Sequence, residues 1–336
     1  MAQQIVFTAP NEVALQEVDF DLTALQADEV ALRTHYSLIS PGTELACLRG
    51  VESWAPLPFT PGYAGVGEVL AVGPEVSAWR PGDLAFTYSR HASPTLARTL
   101  LARLPEGLDL RRACFARLAA VAMTALRVSN AELGDRVAVI GLGLVGNLAA
   151  QLFALAGCEV IGIDLSARRC QVAAACGLRQ AIAAPIAEAV AQVRELTGGA
   201  LCQTVVEATG APAAAYRAPE LAGRLGEVIL LGSPRGAYAA DVTELLNRVH
   251  LWGNGCVTLK GAHEWRYPVK QDTAGQGKHS IERNVEISLR LIAQERLIVD
   301  PLLTHVLPPR ACAQAYAGLR DQPDEFLGVL FDWTAA

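Results

Sequence analysis

The feature that most constrains the fold is a glycine-rich turn set between an apolar run and a helical pattern. Residues 137–146 read VAVIGLGLVG, and Asp164 follows Gly146 by eighteen residues. A strand, a Gly-x-Gly-x-x-Gly turn, a helix and a second strand ending in an acid are typical of a dinucleotide-binding βαβ unit. Gly141 would permit the tight turn, Gly143 would let the backbone approach a pyrophosphate, and Gly146 would let the helix pack against the strand.

The cofactor is expected at the start of the helix that follows this turn. Its first N–H groups, with Leu144 and Val145, and its positive dipole end would face the phosphates. Asp164 would accept hydrogen bonds from the adenosine ribose hydroxyls and repel a 2′-phosphate, which favours NAD over NADP. The nearby Arg169 weakens this inference, because an arginine there can pair with a 2′-phosphate. An alternative role for Asp164, compatible with ribose binding, is to cap the next helix.

Composition excludes several classes of protein. The chain has 336 residues, 51% of them hydrophobic and 18% charged, which indicates a globular protein long enough for two domains. A net charge of −6 without a basic block argues against a nucleic-acid partner. The apolar stretch 137–163 holds five glycines and changes its periodicity midway, so we expect a βαβ unit and no membrane span.

Cellular context follows from the N-terminus and the cysteines. The first residues show no signal-peptide pattern, so we predict a cytoplasmic protein. The eight cysteines lack Cys-x-x-Cys pairing and metal-site spacing. They are therefore expected to be reduced and mostly buried.

The order of predicted elements changes along the chain. The first part is rich in strands and turns, with strands at 4–8, 12–19, 29–37 and 63–72 and a turn into another at 79–86. After a helix at 113–129, the predicted strands are 136–141, 159–164, 180–183, 204–207, 227–231 and 257–260. The helices between them are 143–155, 167–176, 185–197 and 212–221. This alternation predicts a parallel, doubly wound sheet.

The carboxyl ends of two further strands and the last part of the chain complete the predicted fold. Ligands bind at the carboxyl ends of strands in such sheets, so Thr209, Gly232 and Ser233, which follow two predicted strands, are assigned to the cofactor site. The last part returns through helix 280–293, strand 305–307, helix 309–320 and strand 328–333.

Three segments besides the glycine turn carry a family resemblance: SLISPGTE at 37–44, PGYAGVGEV at 61–69 and WRPGD at 79–83. With them the chain resembles the medium-chain dehydrogenase/reductase superfamily, the alcohol dehydrogenase-like enzymes, over its whole length. The first two segments look most like a zinc-lacking branch that includes bacteriochlorophyllide hydroxyethyl dehydrogenases.

This resemblance implies an α/β fold made of two domains. A GroES-like, β-rich catalytic domain would comprise residues 1–115 and 271–336. A Rossmann domain with a doubly wound parallel sheet would comprise residues 116–270. Relatives commonly dimerise by extending the sheet through its last strand, here 257–260, so a homodimer is expected.

The positions that the family uses for catalytic zinc lack metal ligands here. Ser40 falls where the first cysteine would, and Tyr63 and Ala64 replace a His–Glu pair. The third ligand region, 117–124, offers no Cys, Asp or Glu, and the four-cysteine loop of the structural zinc is missing too. Zinc needs thiolate, imidazole or carboxylate ligands, so we predict that no zinc is bound.

Without a metal, a side chain must accept or donate the hydroxyl proton. Tyr63 should face the nicotinamide pocket as an acid–base group, or else merely fill the space that the metal site leaves. Thr43 falls at the family's Ser/Thr proton relay, and Ser40 and Thr43 would either bond a substrate hydroxyl or form a turn. Glu44 is either an acid behind these groups or a surface charge.

Two histidines and a polar loop complete the candidate residues. His263 follows the last sheet strand and, by family analogy, lies near the nicotinamide carboxamide, so it is the best histidine candidate for acid–base catalysis. His91 lies in the loop that replaces the family's structural zinc lobe, and it could line the cleft. The polar loop 266–278 would cover a hydrophilic substrate or lie free on the surface.

Three functions remain open. The first is a zinc-independent, NAD(H)-dependent oxidoreductase that interconverts a secondary alcohol and a ketone, with a sugar, polyol or other hydroxylated small molecule as substrate. The second is an NADPH-dependent enone or quinone reductase. The third is a non-catalytic dinucleotide-binding protein.

Overall fold

A computed structural model of the protein describes residues 2–271 and 277–335. The chain divides into two compact units: Met1–Leu118, Pro268–Glu295 and Leu302–Ala336 form the first, and Ala119–Tyr267 and Arg296–Pro301 the second. Residues 296–301, expected in the first domain, belong to the second unit, whereas residues 116–118 and 268–270, expected in the Rossmann domain, belong to the first. In the second unit the Gln151 side chain bonds both the N–H and the carbonyl of Ile298.

The elements are numbered along the chain. The strands are β1 (Ala2–Ala9), β2 (Glu12–Val18), β3 (Val30–Leu38), β4 (Gly65–Val72), β5 (Leu84–Thr87), β6 (Ala92–Ser93), β7 (Thr95–Ala97), β8 (Leu101–Arg103), β9 (Arg136–Ile140), β10 (Glu159–Asp164), β11 (Gln180–Ala183), β12 (Cys202–Glu207), β13 (Ala222–Leu230), β14 (Thr258–Gly261), β15 (Leu303–Leu307) and β16 (Gly328–Asp332). The helices are α1 (Pro41–Leu48), α2 (Leu110–Ala113), α3 (Ala116–Val128), α4 (Leu144–Leu155), α5 (Ala167–Ala175), α6 (Ile186–Leu196), α7 (Pro212–Arg217), α8 (Val242–His250), α9 (Ile281–Ala293) and α10 (Cys312–Asp321).

The second unit contains the predicted parallel sheet. Within the described residues it has six strands in the order β11-β10-β9-β12-β13-β14, and all neighbouring pairs are parallel. Its central strands are nearly continuous apolar runs because both of their faces are buried, and Ile161, Val205 and Val228 lie in one core cluster. The predicted α/β fold with a Rossmann sheet is confirmed.

The first unit is β-rich, as predicted. Its described strands form a seven-stranded sheet, β15-β16-β3-β4-β5-β8 with β7 paired to β3, and a three-stranded sheet, β2-β1-β6. Phe7, Tyr316 and Phe331 are buried in the core beside the smaller sheet. The residues of this core come from both ends of the chain.

Three local predictions of secondary structure are wrong, and each concerns a helix. The turn considered around Ser40 and Thr43 is wrong, because Pro41 begins helix α1 with Ser40 as its N-cap residue. Proline is favoured at a first helical position, where its fixed φ suits the helix and its missing N–H costs nothing. The single helix predicted at 113–129 is interrupted at Cys114, and α8 was not predicted.

Three further expectations from the sequence concern the cysteines, a membrane span and the polar loop. Seven of the eight cysteines are buried and Cys256 is partly buried, as expected. Within the described part of the chain, no helix combines the length and apolar character needed to cross a membrane. Residues 272–276, in the middle of the polar loop predicted at 266–278, lie outside the described residues.

Candidate active site

In the glycine turn of the second unit, two of the three glycines leave no room for a side chain, and the third faces open space. Gly141 has a φ of +88°, and a Cβ there would lie 2.6 Å from Thr209 Cγ2. A Cβ on Gly146 would overlap the Gly141 carbonyl oxygen. Gly143, the N-cap residue of α4, has nothing within 4 Å of its Cβ position. Leu144 and Val145 begin α4, so an anion has access to the first N–H groups of this helix.

The loops after β12 and β13 pack against this turn and against each other. Glu207, at the end of β12, accepts hydrogen bonds from the Thr209 N–H at 2.7 Å and from the Thr209 hydroxyl. Burial raises the pKa of Glu207. A Cβ on Gly210 would contact Ser233, and one on Gly232 would overlap Gly210. Thr209, Gly232 and Ser233 are predicted from the sequence, whereas Glu207, which accepts from Thr209, is not; its signal is an acid at the end of a buried strand.

Asp164 lies beside the glycine turn, at the end of β10. Its Oδ2 accepts from the Leu142 N–H at 2.7 Å, and its Oδ1 accepts from the Ser166 N–H at 2.8 Å. The cap of α5 is Ser166, whose hydroxyl accepts from the Arg169 N–H at 3.2 Å, so the capping role considered for Asp164 is wrong. The Arg169 guanidinium lies 3.9 Å from Asp164 Oδ2. Each carboxylate oxygen keeps a second acceptor position for a ribose hydroxyl.

Three of the four predicted catalytic residues meet in the first unit. The start of α1 presents Ser40 and Thr43 to Tyr63, and the side chains of both lower the pKa of its phenol. His263 does not belong to this group: it lies in the second unit, is exposed, and precedes a short 3₁₀ turn, Glu264–Arg266.

Arg117, which the sequence analysis passed over, completes this group. It lies at the start of α3 and is only 5% exposed. Its guanidinium carbon is 4.8 Å from the centroid of the Tyr63 ring and 4.3 Å from that of Tyr88. Burial raises the pKa of Tyr63, and Arg117 acts against this rise. The signal in the sequence was a charged residue in the first turn of α3, followed by six residues without a charge or a polar group.

Behind these groups lies a buried polar cluster centred on Glu44. Its Oε1 accepts from the Ser40 N–H at 2.8 Å, and its Oε2 accepts from the Tyr316 hydroxyl at 2.6 Å. His91 Nε2 lies 3.0 Å from the same Oε2. Ser37 Oγ lies 2.8 Å from His91 Nδ1 and accepts from the indole N–H of Trp333 at 2.9 Å.

The burial of this cluster corrects two expectations. Glu44 is 1% exposed and His91 is fully buried, so neither is a surface charge or a cleft-lining residue. Glu44 instead fixes Ser40 through its backbone N–H, and with it the start of α1. Nothing local in the sequence joins residues 37, 44, 91, 316 and 333, because tertiary pairing brings them together.

The residues at the family's zinc positions do not fit a zinc ion. The groups there are the hydroxyl of Ser40, the phenol of Tyr63, the methyl of Ala64 and, in the third region, the guanidinium of Arg117. None is a thiolate, imidazole or carboxylate, and a fixed guanidinium charge repels a cation. Among residues 2–271 and 277–335, no group of three or more His, Cys, Asp or Glu could hold a metal.

Comparison with known families agrees with this fold. The alcohol dehydrogenase GroES-like domain matches residues 26–126, and the zinc-binding dehydrogenase family matches residues 145–269. The first match lies in the β-rich part of the chain, and the second covers most of the Rossmann sheet.

Individual relatives are dehydrogenases. The D-guloside 3-dehydrogenase of Escherichia coli is 27% identical over 62% of this chain and 67% of that protein. The L-galactonate-5-dehydrogenase of Escherichia coli is 29% identical over 68% of this chain and 60% of its own length. The crystal structure of galactitol-1-phosphate dehydrogenase from Escherichia coli shares the fold, with a TM-score of 0.81 and 19% identity over 98% of this chain and 99% of that one. The chain therefore belongs to the medium-chain dehydrogenase/reductase superfamily, among the alcohol dehydrogenase-like proteins, and is an oxidoreductase.

Proposed function

We propose that the protein is a zinc-independent, NAD(H)-dependent dehydrogenase that interconverts a secondary alcohol and a ketone. The observation that carries this proposal is Tyr63, whose ring lies under the Arg117 guanidinium and whose pKa the Ser40 and Thr43 side chains lower, at the positions that the family uses for zinc and its proton relay. A bound nicotinamide cofactor would supply or accept the hydride.

The chain's own residues would handle the proton. Because burial raises the pKa of Tyr63, its hydroxyl is protonated at neutral pH and can donate to the carbonyl oxygen during ketone reduction. In alcohol oxidation the same oxygen would take the proton back. Ser40 and Thr43 would orient the Tyr63 hydroxyl, and Glu44 would hold Ser40 in place.

The NAD preference is supported by Asp164. A carboxylate bonded to the glycine turn would accept from the ribose hydroxyls and would repel a 2′-phosphate. The Arg169 guanidinium, 3.9 Å from that carboxylate, keeps a second candidate open, an NADPH-dependent enone or quinone reductase. NADPH binding would require Arg169 to turn from Asp164 toward the 2′-phosphate.

The substrate class is proposed from the relatives. The guloside and galactonate dehydrogenases carry sugar-derived names, and each is under 30% identical to this chain. A sugar, polyol or other hydroxylated compound is therefore the first class to test.

A homodimer is also proposed. In the described sheet, β14 is an edge strand, and Leu259 on it is exposed. Leu246, Leu251 and Trp252, which precede this edge, are exposed as well. Pairing of β14 with the same strand of a second copy would cover this surface. A monomeric mass by light scattering at working concentration would contradict it.

The experiment that tests the function is a calorimetric titration with NADH and then with NADPH, on protein whose zinc content is measured by elemental analysis. Tight NADH binding without zinc, followed by NAD-coupled turnover of a sugar or polyol, supports the proposal. Preferential NADPH binding moves the search to enones and quinones, and stoichiometric zinc overturns the metal-free site. Dinucleotide binding without turnover of any alcohol or enone would favour a non-catalytic protein.

Two variants separate the acid–base candidates. Tyr63→Phe should lower kcat, whereas the matched His263→Gln should leave it nearly unchanged, because Tyr63 lies beside Ser40 and Thr43 with its ring under Arg117, and His263 is exposed. The reverse pattern would transfer the acid–base role to His263.

A further inference from the structure

The position of Arg117 suggests a role that the proposed function leaves unassigned. It is buried at the start of α3, where the flanking Ala116, Leu118 and Ala119 are buried and apolar. Burying a charge in such surroundings is costly unless other groups compensate. The faces of Tyr63 and Tyr88 supply compensation, because each ring centroid lies within 5 Å of the guanidinium carbon.

Only one of these two rings belongs to the candidate site. The ring of Tyr63 lies under the guanidinium, while the Ser40 and Thr43 side chains act on its hydroxyl and lower its pKa. A fixed positive charge at this distance favours negative charge on the phenol oxygen. The guanidinium also contacts the Tyr88 ring, which limits its movement.

The other charged group that faces Tyr63 is the Glu44 carboxylate, which opposes Arg117. That carboxylate already accepts from the Ser40 N–H and the Tyr316 hydroxyl and lies beside His91. These donors fix the carboxylate in place, and its effect on the pKa of Tyr63 is smaller than that of Arg117. Arg117 remains the cation that contacts the Tyr63 ring directly.

We propose that Arg117 is a positioning residue that acts through Tyr63: its guanidinium supplies, in place of a metal ion, the fixed positive charge that stabilises the Tyr63 oxygen when the proton leaves it. This inference rests on the proposed acid–base role of Tyr63. It also explains why the third ligand region carries a cation. In the family a metal ion stabilises negative charge on the substrate oxygen, whereas here the charge would be shared between that oxygen and Tyr63.

The test combines ¹⁹F NMR with kinetics on the full chain. Protein labelled with fluorotyrosine is titrated with base, and the Tyr63 signal among the seven tyrosines is identified by its loss in Tyr63→Phe. Arg117→Gln should raise the Tyr63 titration midpoint by at least about one pH unit. Arg117→Lys, which keeps the charge, should shift it less, and it provides a second variant if the Gln protein does not fold.

Kinetics give a second, independent readout. In Arg117→Gln, kcat for alcohol oxidation should fall about 100- to 1,000-fold, and its rise with pH should move to higher pH. Arg112→Gln, a partly exposed arginine on α2 that pairs with Glu295, is the control and should change neither quantity.

The outcomes separate this inference from the proposed function. If the unmodified protein turns over alcohols but Arg117→Gln leaves the Tyr63 midpoint and kcat unchanged, the role of Arg117 is wrong and the function stands. If no alcohol is turned over, the proposed function fails, and the Tyr63 titration still decides whether Arg117 stabilises the phenolate. Equal shifts in Arg112→Gln would also overturn the proposal.

Discussion

The glycine turn of the second unit and the polar cluster of the first are built in opposite ways. The turn is made of backbone: three glycines, the first N–H groups of α4 and one carboxylate lie within 24 residues of sequence, 141–164. The cluster is made of side chains from residues 37, 44, 91, 316 and 333, together with the backbone N–H of Ser40, and these groups meet only when the first unit folds.

This difference decides where each site is vulnerable. A backbone site fails when an added atom occupies space that the turn needs, and the effect depends on single positions. A side-chain cluster fails when a buried polar group loses its partner, and the loss extends to every group that it holds. Substitutions in the glycine turn should therefore act through steric overlap and those in the cluster through lost hydrogen bonds, and their effects should also differ in size.

The largest effect is expected at Glu44. Replacing it by alanine leaves the buried Tyr316 hydroxyl, His91 and the Ser40 N–H without their acceptor. Loss of one partner of a buried charged network costs about 3–5 kcal/mol, so Glu44→Ala should lower the free energy of unfolding of the first unit by that amount. Denaturant unfolding measures it.

The control is Glu106→Ala, which removes an exposed carboxylate of the same unit. It should change the free energy of unfolding by no more than about 0.5 kcal/mol. If Glu44→Ala is equally mild, the cluster does not act as a unit and the contrast with the turn disappears.

The next largest effect is expected at Gly146. A methyl group there would overlap the Gly141 carbonyl oxygen, so Gly146→Ala should cost about 1–3 kcal/mol and displace the turn. NADH binding, measured by calorimetry, should fall with it. Gly143→Ala is the matched control, because its Cβ enters open space at an ordinary φ of −64°.

The two glycine variants together locate the cofactor. Gly143→Ala should leave the free energy of unfolding unchanged and weaken NADH alone, since the added methyl occupies space that the pyrophosphate is proposed to approach. Normal NADH affinity in Gly143→Ala would mean that the dinucleotide does not approach the turn at this residue.

The same contrast explains what could be predicted from the sequence. The Rossmann sheet and its glycine turn follow from local patterns, namely alternating apolar runs and glycines at fixed spacing. The first unit's catalytic candidates Ser40, Thr43 and Tyr63 required a family resemblance. Arg117 and Tyr316 could not be predicted, because their positions within α3 and α10 do not reveal which distant groups they contact.

A smaller effect is expected at Asp164. Removing its carboxylate by Asp164→Ala takes away the proposed acceptor for the ribose hydroxyls and leaves the Leu142 N–H without its partner. NADH affinity should fall at least about tenfold, or about 1.4 kcal/mol, while NADPH affinity should fall less. Calorimetry with both dinucleotides measures the two changes.

Arg169→Gln is the companion variant. If Arg169 only neutralises Asp164, NADPH binding should remain weak in this variant and NADH binding should be nearly unchanged. A selective loss of NADPH affinity would instead assign Arg169 to the 2′-phosphate and favour the reductase alternative.

The smallest effect is expected on the free energy of unfolding in alkaline solution, and it should arise in the first unit alone. Burial, and then the neighbouring Glu44, raise the pKa of Tyr316 well above its usual value. Since the folded-state pKa exceeds the unfolded value of about 10, this hydroxyl's contribution to stability is complete below that pH and is lost as the pH rises beyond it. The free energy of unfolding should therefore begin to fall at about pH 10 and continue to fall as the pH rises further. Tyr316→Phe should flatten that fall, whereas Tyr238→Phe, which changes an exposed tyrosine of the second unit, should not. If the free energy of unfolding depends on pH equally in both variants, the Tyr316 hydroxyl does not hold its proton more tightly in the folded protein than in the unfolded chain.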